Sequence, residues 1–155
     1  MPPKKKGQGD DEAEACPADM DPEVWAVVKD VNQLVALASK RTSAPPVTRF
    51  DALLHLWSAV ASKPRERDAL VDAGALAASL AASKPDVPFL DRGAGLGLTR
   101  ALTVGDERTS ISSAAHLEAA SEARVAASAL DALLLGSSTS SRCVADALAI
   151  LLGLA

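Results

Sequence analysis

Apolar positions recur at spacings of three and four along most of the chain, the pattern of helices that bury one face. Val24, Val27, Val28, Val31, Leu34, Val35 and Ala38 form the first stripe, with Lys29, Asp30, Asn32 and Gln33 largely off it. Asp21-Pro22-Glu23 supplies a start signal: a capping carboxylate, a proline that loses no bond in the first turn, and an acid at the positive end of the dipole. One helix is predicted from this start to about Ser39, where Pro45-Pro46 in the segment KRTSAPP ends any continuation.

A second stripe, Phe50, Leu53, Leu54, Trp57, Val60 and Ala61, lies behind Thr48 and Asp51, a capping-box-like pair with Asp in place of Glu. This predicts a helix over 48–62. Lys63-Pro64 closes it, and Pro64 opens a short helix to about Ala73, with Gly74 as a left-handed cap and a further helix over Ala75–Ser83. Helical periodicity returns over 121–135 and 140–154, separated by the Ser-rich turn 137–141. A phosphate on that turn would sit at a helix N-terminus, although a polar cap explains the serines as well.

The prediction is an all-α fold of five or six short helices over residues 21–155, behind a tail, residues 1–20, in which Lys4, Lys5 and Lys6 precede Asp10, Asp11, Glu12 and Glu14 with almost nothing to bury. Composition agrees. With 48% hydrophobic residues but only 3% aromatic, Ala and Leu carry the apolar surface, as in close-packed helices. At 155 residues one domain or a short stack fits. A net charge of -4 and a pI near 5.1 argue against a general nucleic-acid binder, which needs clustered Lys and Arg. Cys16 and Cys143 have neither Cys nor His at metal-ligand spacing, so no metal is expected. Neither a signal-like apolar segment nor a membrane-length run is present, and the expected location is cytoplasmic, with the three lysines leaving nuclear entry open.

Residues 51–83, DALLHLWSAVASKPRERDALVDAGALAASLAAS, resemble the armadillo and HEAT-like helical repeats: a long helix, a polar turn, a short helix, then a Gly corner into the next helix. Residues 123–155 resemble another half-repeat. The echoes ASKP at 61 and 82, and Asp-Ala-Gly-Ala at 72 against Asp-Arg-Gly-Ala at 91, fit repetition. Their offset is about half the armadillo period, so the unit over 84–110 is expected to be degenerate or to lack a helix, with Gly93 as a corner like Gly74. The resemblance implies a non-enzymatic scaffold or assembly subunit that binds a peptide or partner helix. The closing apolar run Leu148, Ile150, Leu151, Leu152, Leu154 points the same way, toward a surface that needs covering.

One segment carries a second resemblance. Phe89, Leu90, Asp91, Gly93, Gly95 and Gly97 are similar to the first motif of class I S-adenosylmethionine-dependent methyltransferases, a strand, an acid and a GxGxG turn opening a helix. Glu118, after His116 and Leu117, matches the acid that holds the ribose in that family. The resemblance implies a truncated α/β fold with S-adenosylmethionine held by Asp91, Gly93, Gly95, Gly97 and Glu118, either as an enzyme or as an inactive remnant. Too few residues follow Glu118 for the remaining strands, and Pro88 interrupts the required strand, so the helical binding module is the primary reading. No catalytic set accompanies His55 or His116, and Trp25 and Trp57 fall on or near apolar stripes, as core or partner-groove residues.

Overall fold

Every regular element is helical among residues 14–41, 44–103, 125–134 and 141–154, the residues that the computed structural model describes. The described residues hold eight α-helices: α1 (Pro22–Val28), α2 (Val31–Ala38), α3 (Arg49–Ser62), α4 (Arg67–Asp72), α5 (Ala75–Ala82), α6 (Phe89–Thr103), α7 (Val125–Leu134) and α8 (Ser141–Leu154). A 3-10 turn, Pro64–Glu66, leads into α4. None of these helices is long and apolar enough to cross a membrane. The first 13 residues of the expected tail lie outside the described residues, and 14–20 form only a turn, in which the Met20 N–H donates to the Pro17 carbonyl at 3.1 Å.

The single helix expected from Asp21 to Ser39 is two helices, which corrects the sequence reading. Asp30 adopts an extended backbone (φ -106°, ψ 105°), and its carboxylate accepts from the Asn32 N–H at 2.9 Å and the Gln33 N–H at 3.4 Å. A short acid inside a helical pattern competes for backbone donors, and here it restarts the helix as an N-cap. The apolar stripe survives the break: Leu34, Val35 and Ala38 are buried, and Val24, Val27, Val28 and Val31 pack partly buried against them. Asp30→Ala is expected to lower stability by about 1 kcal/mol, read as a shift of the urea midpoint with the slope unchanged.

The start of α3 follows its sequence signature. Asp51 N–H donates to Thr48 Oγ1 at 3.2 Å and Thr48 N–H donates to Asp51 Oδ2 at 3.1 Å, so each residue satisfies the other's orphan donor. Gly74 has φ +95°, the left-handed conformation the corner between α4 and α5 requires. Leu53, Leu56 and Val60 of α3 are fully buried against the core.

The core is organised by α6, which packs against α3, α5 and α8, while α7 packs on α8 and α2 on α3 and α5. All ten residues of α6 from Ala94 through Thr103 are buried except Arg100, so this helix is enclosed on nearly every face. Its existence corrects one of the two alternatives expected over 84–110, that the segment lacks a helix; residues 104–110 lie outside the described residues. Among the apolar positions of the closing run, Ile150 is fully buried and Leu151 partly so, whereas Leu148 and Leu152 are exposed.

Candidate functional site

The three alternating glycines lie inside α6, where a turn for a cofactor was one expectation and a corner the other. Residues four apart on a helix share a face, and residues two apart nearly oppose. Gly95 therefore points one way, and Gly93 and Gly97 the other. A Cβ at Gly95 would stand 2.8 Å from the Ser79 carbonyl oxygen and 3.0 Å from Ala82 Cβ, so α5 lies directly against the backbone there. On the opposite side, a Cβ at Gly97 would overlap the Trp57 ring, and one at Gly93 would stand 3.5 Å from Cys143 Sγ. The alternation is a packing code: a central helix thinned on two sides so that α5 and the α3/α8 pair can both approach. In the middle of a helix, the backbone N–H groups of these glycines are turned along its axis and form no cradle for an anion or nucleoside.

Asp91, the acid of the same motif, stands in the first turn of α6 and is engaged elsewhere. Its Oδ2 accepts from Arg49 Nε and Nη2, each at 2.6 Å, and Arg49 Nη1 also donates to the Lys40 carbonyl at 3.0 Å. One guanidinium thus ties the end of α2, the start of α3 and the start of α6, a structural role for a residue the sequence offered as a ligand. Glu118, His116 and the Ser-rich turn at 137–140 lie outside the described residues. His55 is half-buried on α3, and no group of three or more His, Cys, Asp or Glu is placed to hold a metal among the described residues.

Where Gly93 opens space, a groove forms. Its floor is Gly93 and Ala94 of α6, its walls include Leu54 and Trp57 of α3 and Cys143 of α8, and Phe89 and Leu90 stand at its lip. The hollow measures about 210 Å³. Phe89 and Leu90 are 48% and 61% exposed, and Leu54 is also exposed, a cluster of large apolar side chains that the core leaves uncovered. Trp57 has two close neighbours: Gly97 receives one part of its ring, and the Arg142 guanidinium carbon lies 5.7 Å from the ring centroid. Arg92 lies 5.9 Å from the Phe89 ring in the same manner.

The α8 wall carries an unbalanced charge cluster. Asp146 is completely buried (0% exposed), accepts from Arg100 Nη1 at 2.9 Å on one oxygen, and from Arg142 Nε at 3.3 Å on the other. The Arg142 side chain is 62% exposed.

The sequence reading found Trp57 as a partner-groove candidate but missed Phe89, Leu90, Arg142 and the Arg100–Asp146 pair. The methyltransferase resemblance makes the Phe-Leu pair after Pro88 a strand, whereas in the first turn of α6 the same two residues are exposed. The ion pair joins positions 46 apart, a separation with no periodic signal. Comparison with family models, curated proteins and solved structures finds no significant match, so the site rests on its own geometry.

Proposed function

We propose that this chain is a non-enzymatic, protein-binding helical module that receives a peptide or a partner helix in the groove between α3, α6 and α8. The observation that carries the reading is the exposed apolar cluster of Leu54 in the wall and Phe89 and Leu90 at the lip, over a floor kept open by Gly93. Helix-in-groove recognition uses this arrangement, with a few apolar anchors entering a hydrophobic cleft. A hollow of about 210 Å³ is smaller than the roughly 300–1,000 Å³ of small-molecule pockets. It suits one or two side chains of a larger partner. The run from α3 through the Pro64 turn and the Gly74 corner into α5 supports an armadillo-like unit as the scaffold of this module.

The reading is tested by selecting helical peptides from a display library on the full chain and comparing the wild type with Gly93→Leu. A Cβ at Gly93 meets only an ordinary contact, and Gly is a poor helix residue, so this variant fills the groove floor while keeping the fold. Selected peptides are expected to bind the variant at least about tenfold more weakly, at an unchanged or higher melting temperature. Binding that ignores Gly93→Leu would defeat the proposal.

A further inference from the structure

We infer that the segment received by the groove is an amphipathic helix with apolar anchors and a flanking carboxylate that meets Arg142. This rests on the groove reading above and adds the polarity of the partner. Asp146 serves two guanidiniums, Arg100 at 2.9 Å and Arg142 at 3.3 Å, so among the described residues the cluster carries one positive charge in excess. Asp146 is sealed from solvent and Arg100 is largely covered, so the excess is displayed through Arg142, the exposed member, at the edge of the apolar groove. None of the described residues lining the groove is acidic.

The Arg142 guanidinium is also held for such a contact. Its Nε is directed to Asp146 and its guanidinium carbon lies over the Trp57 ring, which limits the rotamers it would have to lose on binding. A planar guanidinium held in one orientation accepts a carboxylate through paired N–H donors.

The test uses the full-length protein and a display library of amphipathic helices, apolar on one face and randomised among Glu, Gln and Lys at the positions flanking it. Glu is expected to be enriched over Lys at a flanking position by about tenfold or more, the equivalent of one charge-assisted hydrogen bond of roughly 1.5 kcal/mol. That preference should disappear on Arg142→Gln and persist in weaker form on Arg142→Lys, which keeps the charge without the paired donors, both variants keeping the wild-type circular dichroism. Peptides enriched without charge bias, yet lost on Gly93→Leu, would overturn this inference and leave the groove reading standing. No enrichment of any peptide would overturn both. Self-association of the protein that Gly93→Leu abolishes would assign the groove to a second copy and overturn the acidic partner.

Discussion

Asp146→Ala is expected to lower the stability of this protein by about 3 kcal/mol, a drop in melting temperature of roughly 6–12 °C for a chain of this size. Removing the carboxylate strands two guanidiniums that converge on it, Arg100 from α6 and Arg142 from α8. Arg100 is largely covered and cannot recover full hydration, whereas Arg142 is mostly exposed and turns to water. The cost therefore falls at the lower end of the range for breaking a buried pair. Asp146→Ala in combination with Arg100→Met should recover most of the loss, since the stranded charge leaves with its partner and an apolar side chain of similar length fills the space. Urea unfolding of the two variants is the measurement. A single variant within 0.5 kcal/mol of wild type, a magnitude typical of surface substitutions, would show that the cluster contributes nothing to the α6–α8 interface.

What was legible in the sequence depended on whether a helix has a polar side. Helix α3 shows its stripe because Leu53, Leu56 and Val60 face the core while Ser58 and Ser62 face water. Its start was legible because a capping box is local, and Gly74 because a positive φ leaves a residue-type signature. Helix α6 has almost no solvent-facing side to contrast with a core side. It is buried nearly all round, with its polar residues Asp91, Arg92, Thr99 and Thr103 buried as well, and each of its glycines costs about 1 kcal/mol of helix propensity against alanine. Read locally, such a segment is a loop. Only the neighbours α3, α5 and α8, which need those glycines to come close, make it a helix, and they are distant in sequence. The missed break at Asp30 has the opposite cause: the local cap overrode a stripe that continued through it.

The candidate site was less legible than the fold for the same reason. A groove is a property of how elements approach. Leu54 and Trp57 belong to a legible stripe, but the stripe does not say which members the core leaves uncovered. Phe89 and Leu90 are lip residues because α6 begins at Phe89, and Gly93 is floor because α8 places Cys143 beside it. Small residues that bring helices together on one turn leave a hollow on the next, so packing and binding surface share one sequence device in α6.

Gly97→Ala tests that device directly. In an exposed helix this substitution would stabilise by up to about 1 kcal/mol. Here the new methyl group would occupy the space of the Trp57 ring, and the net effect is expected to be a loss of about 2 kcal/mol, within the range for overpacking a core. The ring has little room to yield, because Arg142 lies over it and Asp146 holds Arg142. A double-mutant cycle isolates the contact. Trp57→Ala alone is expected to cost about 3 kcal/mol, but in that background Gly97→Ala should turn neutral or stabilising, giving a coupling of roughly 2–3 kcal/mol. The same substitution should weaken peptide binding, since a displaced Trp57 alters the wall of the groove and carries Arg142 with it. Additive effects of the two substitutions on urea unfolding would show that the ring is not seated on Gly97, and would remove the structural basis for a preformed groove.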